Sequence, residues 1–219
     1  MVKKGSSSSG RRRFLTHVGA GMTVLGAASA AGAPAATAQA PAGTRWQPAR
    51  HNQDDWLDQI EGQHRFIFDT TTSQGFSSAL QFANNYYLAN NSGYGLQNSD
   101  LAVVIVARHI STPFAYTDAI WSKYGVPISN FVDRAKEPSN TNAYGRQLEG
   151  LLKRGAHLAV CQMATTAIAG SIARAVGGSA NEISKEIASN LVANAHLVPA
   201  GIVVVNRAQE RGYSFVVAV

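Results

Sequence analysis

The sequence predicts an α/β fold, a mainly parallel sheet with helices on both faces. Short apolar runs alternate with segments of helical periodicity from residue 64 to the end. One of these runs, "LAVVIVAR" at 101–108, is apolar and β-branched almost throughout, as expected of a central strand covered on both faces. The length left after an N-terminal leader, about 180 residues, suits one domain with a single core.

The leader comes first. "SSGRRRFLTHVGAGMTVLGAASAAGAPAATAQA" has a basic front, a weakly apolar Gly/Ala-rich middle and a small-residue end. That order is the anatomy of an export signal, with Ala36-Thr37-Ala38 as the cleavage triplet. Residues 18–31 are too few and too rich in glycine for a membrane span of about 20 residues, so membrane contact is expected only in transit. Arg11 and Arg12, followed after one residue by Phe14 and Leu15, resemble a bacterial twin-arginine signal. Such a signal implies that an already folded protein is exported, to the periplasm or beyond. Residues 1–38 are read as signal, 39–53 as a Pro/Ala/Gln-rich linker or arm, and 54–219 as the folded domain.

Within the domain, "DDWLDQIEG" places Trp56, Leu57 and Ile60 on one face of a short helix, with Asp54 and Asp55 near its N-terminus. "HRFIFD" (64–69) reads as a strand ending in a polar loop. "FSSALQFANNYYLAN" (76–90) carries Phe76, Leu80, Ala83 and Tyr87 at helical spacing. After the 101–108 strand, 113–125 reads as a helix with Pro113 in its first turn and Gly125 past its end. Residues 131–145 are polar and breaker-rich, a long loop. A helix over 143–155 follows, then the strand "AHLAVC" (156–161) and two helical patterns up to 194. The end holds a turn at "HLVPAG", an apolar run "GIVVV" that propensity alone would make a strand, and a final strand at 213–217.

Charge and cysteine count narrow the function. The leader takes five of the 19 Lys/Arg and no acidic residue, leaving 14 basic against 13 acidic residues, a net of +1. The basic character belongs mostly to the leader, and no nucleic-acid partner is expected. The single cysteine, Cys161, excludes an internal disulfide and any multi-cysteine zinc site.

Cys161 ends a strand and precedes a helix. In a parallel α/β sheet, chemistry gathers beyond the carboxyl ends of the strands. The unpaired N–H groups and dipole of the following helix favour a thiolate there. Thr165 adds a hydroxyl one turn on. A lone activated thiol suits holding sulfur as a persulfide, not shuffling internal disulfides. Free cysteine is also among the most buried residue types, so a core role stands beside the reactive one.

The strand and turn "GAHLAVCQMA", followed about 35 residues later by "LVPAGIVVVNRAQERGYSFV", resemble the DsrE/DsrF-like family of small sulfur-relay proteins. "HRFIFD", "DLAVVIVARH" and "WSKYGV" fall where that family has its first strand, second strand and following helix. The resemblance implies a three-layer α/β sandwich on a mainly parallel sheet of about five strands. It also implies a homo-oligomer, trimer or hexamer, and a helix over Pro199–Arg211. At the position of Cys161 it implies a thiol that carries sulfur, exchanged with a thiol or persulfide partner protein. The alternative is a non-catalytic binding or assembly module with a structural cysteine.

Other polar residues sort by sheet edge. His109 ends the second strand on the side of Cys161 and could pair with a thiolate, or hydrogen-bond the loop after it. Asp69 and Thr70 open the loop after the first strand on the same edge, as ligand contacts or as ordinary turn residues. His64 and His157 begin strands at the opposite edge. His51 and His196 show no ligand spacing relative to them, and no metal site is expected. No GxGxxG, Walker or Gly-x-Ser-x-Gly pattern occurs, so no cofactor is expected and an α/β hydrolase is disfavoured.

Overall fold

The computed structural model describes residues 47–132 and 138–219. The expected leader, with Arg11, Arg12, Phe14, Leu15, Ala36 and Ala38, lies outside the described residues. Five strands form one all-parallel sheet: β1 (His64–Thr70), β2 (Leu101–Ala107), β3 (His157–Cys161), β4 (Ala195–Val198) and β5 (Ser214–Val217). Their order across the sheet is β4-β3-β2-β1-β5. The helices are α1 (Trp56–Gln59), α2 (Ser73–Tyr94), α3 (Asp118–Phe131), α4 (Gly145–Leu152), α5 (Gln162–Val176), α6 (Ala180–Ala188) and α7 (Gly201–Gln209).

The layers follow from strand alternation. Phe68, Val103, Ile105, Leu158 and Val160 face one way and pack with the apolar sides of α2 to α6. Ile67, Val104, Val106, Ala159 and Val198 face the other way, against Leu57 of α1 and Val204, Val205 and Ala208 of α7. β2 lies at the centre with all seven residues buried, which is why its sequence shows no polar alternation. The protein is a three-layer α/β sandwich.

Handedness explains why one face carries five helices and the other mainly α7. The chain steps outward from β1 to β4, and its crossovers lay α2 to α6 on one face. It then returns across the sheet to β5 on the far side of β1. A right-handed crossover in that reversed direction must use the opposite face, where α7 lies. "GIVVV" is therefore helical despite its β-branched residues. The propensity deficit of valine in a helix is only tenths of a kcal/mol per residue, and burial of Val204 and Val205 outweighs it.

Two sequence-based expectations are corrected. The residues of "HLVPAG" include a strand, β4, rather than only a turn; at four residues and on the sheet edge it gives no periodic signal. The helix expected over 113–125 is two elements, a 3-10 helix at His109–Ala115 containing Pro113 and then α3. Gly125 lies inside α3 rather than past its end, because the backbone of Ser139 and Asn140 crosses the helix there. Of the arm read over 39–53, residues 39–46 lie outside the described residues, and a 3-10 turn at Asn52–Asp54 joins it to the domain.

Candidate functional site

Helices leave the neighbouring strands β3 and β4 toward opposite faces of the sheet: α5 goes one way and α7 the other. Such a switch point opens a crevice at the carboxyl ends of the strands. Cys161 stands in it. The thiol borders a pocket of about 280 Å³ that Arg108, His109, Met163, Gly201 and Ile202 also line. As a whole residue Cys161 is 7% exposed, so its access runs through that pocket. It is also the N-cap of α5, with Sγ accepting from the Ala164 N–H at 3.5 Å. A sulfur bearing negative charge is held by that N–H and by the dipole of α5.

The charged partner of the pocket is Arg108, which the sequence reading passed over as the tail of a strand. Ala107 pairs with Val160, so Arg108 is one register step further, level with Cys161. Two residues beyond Val106, it shares that residue's face, the α7 face. Asp69 is level with Val106 on the next strand. Arg108 donates from Nε to Asp69 Oδ1 and from Nη2 to Asp69 Oδ2, both at 2.7 Å. This two-pronged ion pair raises Arg108 above the usual guanidinium range, chiefly through the hydrogen bond to Asp69, and the nearby Cys161 contributes in the same sense. Gly201 lets α7 begin directly on the arginine stem: a Cβ there would lie 2.6 Å from Cβ of Arg108.

The other expected site residues divide. His109 lines the same pocket, exposed, with φ of 58°; the turn after β2 thus takes the left-handed region to aim it there. Asp69 is buried and reaches the site only through Arg108. Thr70 and Thr165 do not line the pocket, and both are fully buried. The Thr70 hydroxyl donates to the Val106 carbonyl at 2.7 Å and sits 2.8 Å from the Ser111 hydroxyl, tying the ends of β1 and β2 to the turn that carries His109. Thr165 accepts from the Tyr116 hydroxyl at 3.0 Å. Their hydroxyls brace the site from behind rather than meet a ligand.

At the opposite edge the structure joins two histidines that sequence spacing left apart. His157 Nδ1 and His196 Nε2 are 3.0 Å apart across β3 and β4, and Trp56 stacks on His196 with ring centres 4.0 Å apart. One proton fits between the two nitrogens; a second would set N–H against N–H. Burial lowers both imidazoles, and His196, further lowered by His157, falls to about 4. Near neutrality both are uncharged in the fold. As pH falls below the ordinary 6.5, the unfolded chain takes up protons that the fold refuses, so stability is lost between 6.5 and about 4. The ring is only partly buried, so solvent screening reduces the loss to about 1–2 kcal/mol. His196→Phe, which keeps the stack on Trp56, is expected to remove the His196 share of that acid loss and leave the part due to burial of His157; urea unfolding of both proteins at pH 7 and pH 4.5 measures it.

No protein-family model and no curated protein matches the sequence. A solved structure similar to this chain is a protein of unknown function from Methanobacterium thermoautotrophicum, 15% identical, covering 70% of this chain and 98% of that one, with a TM-score of 0.41. That likeness carries no functional argument. The α/β fold class rests on the five-stranded parallel sheet and the helices on its two faces.

Proposed function

We propose that the protein is an exported, DsrE-like carrier of sulfane sulfur, with Cys161 as the carrying thiol. The observation that supports this most is the placement of the single thiol in the switch-point pocket, level with Arg108 and between the starts of α5 and α7. The Cys161 thiolate attacks the outer sulfur of a persulfide or polysulfide. The S–S bond of the donor breaks, its thiolate leaves, and Cys161 becomes a persulfide. An acceptor thiolate then attacks that outer sulfur and returns Cys161 to the thiolate. The sulfur moves as a formal sulfur atom in both steps, so no outside oxidant or reductant is required.

Arg108 and the Ala164 N–H favour the anionic sulfur at each stage. His109, exposed beside the thiol, is the group placed to accept its proton. The pocket is small and open, suiting a short polysulfide or the cysteine of a partner protein. The assembly is a homo-oligomer, a trimer or hexamer, delivered across the membrane by its twin-arginine leader. The burial of Cys161 favours the second reading, a binding or assembly module with a structural cysteine.

The two readings separate on the native protein. After exposure to polysulfide, intact mass is expected to rise by whole sulfur atoms, all lost on reduction and absent from Cys161→Ser. Iodoacetamide is expected to label the native thiol and to block that gain. A thiol labelled only after denaturation, with no added sulfur, makes Cys161 a core residue and overturns the carrier reading.

A further inference from the structure

We propose a second ligand site, for a small organic anion, in the groove between α2 and α4. It lies on the helical face away from Cys161 and does not depend on the sulfur reading. The groove holds about 390 Å³, within the range of small-molecule sites. Arg146 and Arg154 flank it, Asn84 borders it, and Leu80, Gly150 and Leu151 are also at its walls.

Its charge is unbalanced. α2 runs for 22 residues without one charged side chain, so it offers neither arginine a carboxylate. On α4, Glu149 is taken by Lys153 and lies outside the groove. Among the described residues Arg146 has no hydrogen-bond or ion-pair partner. Arg154 is held in place by neutral groups alone: it donates to Asn84 Oδ1 at 2.9 Å, and its guanidinium stands 4.4 Å from the Tyr87 ring centre. Two guanidiniums, one held and one without a partner, thus face a cleft that no carboxylate lines among the described residues. A ligand oxyanion supplies the negative charge, accepting charge-assisted hydrogen bonds from both.

Gly150 points to the rest of the ligand. It sits inside α4, where glycine weakens a helix, and a side chain added there would meet nothing within 4 Å. No packing requires a glycine at this position. What it leaves is open space against Leu80 and Leu151, room for an apolar body attached to the oxyanion.

Calorimetry with phenyl phosphate on the whole mature protein tests this. Phenyl phosphate is expected to bind, and more tightly than inorganic phosphate. Arg146→Gln, an exposed and unpartnered position, is expected to weaken it at least tenfold. Gly150→Leu is expected to abolish binding without lowering the unliganded melting temperature, and Cys161→Ser to leave it unchanged. No binding to the wild type at millimolar concentration overturns the proposal. So does equal affinity in wild type and both groove variants, equal affinity for inorganic phosphate, or loss of binding in Cys161→Ser, which would place the ligand in the thiol pocket.

Discussion

Arg108→Ala is expected to cost about 3–5 kcal/mol of folding stability, although Arg108 is an ion-pair residue at the end of a strand. The reason is the asymmetry of the pair: the Asp69 side chain is 2% exposed, that of Arg108 27%. Removing the guanidinium leaves a carboxylate sealed between β1 and α7 with no charge to answer it. The reverse change, Asp69→Asn, leaves an arginine that can turn through the pocket to water, so its cost is expected to be smaller. The alanine also removes the stem on which Gly201 rests, loosening the first turn of α7. Urea unfolding at pH 7 measures both variants. A loss below about 1 kcal/mol would mean that the ion pair does not organise the pocket.

What could be read from the sequence depended on how local the cause was. β2 was legible because burial on both faces writes itself as seven consecutive apolar residues. The place of Cys161 was legible because a short strand running into small helix formers marks a strand end. Arg108 was not: its role requires three strands in parallel register, and in one dimension it is only the residue after "LAVVIVA". Thr70 and Thr165 were placed near the correct edge, but which way a hydroxyl turns is decided by Ser111 and Tyr116, 41 and 49 residues away. The histidine pair was hidden for a related reason. His157 and His196 meet only if β4 exists, and a four-residue edge strand next to a proline carries almost no signal of its own. The run "GIVVV" shows the limit from the other side. Its local preference was legible and misleading, and sheet handedness overrode it.

Gly125 shows the same limit at a single residue, and it gives the other large expected effect. In sequence it looks like the end of a helix; in the fold it is the position at which the 138–142 segment crosses α3. A methyl group there would run into the carbonyl of Ser139, with the carbonyl carbon 2.9 Å away and Asn140 Cα at 3.3 Å. All of these are backbone atoms, so no side chain can swing aside. Nor can the segment lift freely. The Ser139 N–H donates to Ser129 Oγ at 3.0 Å and the Asn142 N–H to Asp118 Oδ1 at 2.7 Å. The buried Asn142 amide donates to the carbonyls of Phe114 and Tyr116. Gly125→Ala is therefore expected to cost about 3 kcal/mol, the upper end for overpacking, and to lower the melting temperature by roughly 6–12 °C. Gly93→Ala is the matched control: it makes the same change inside a helix, α2, but into open space. It is expected to be neutral or to stabilise by up to about 1 kcal/mol. The loss at Gly125 should reach the thiol as well. Asn142 braces the end of the 3-10 helix that begins at His109, so native alkylation of Cys161 should change in Gly125→Ala and not in Gly93→Ala. Equal melting temperatures for the two variants would show that the 138–142 segment does not seat on α3.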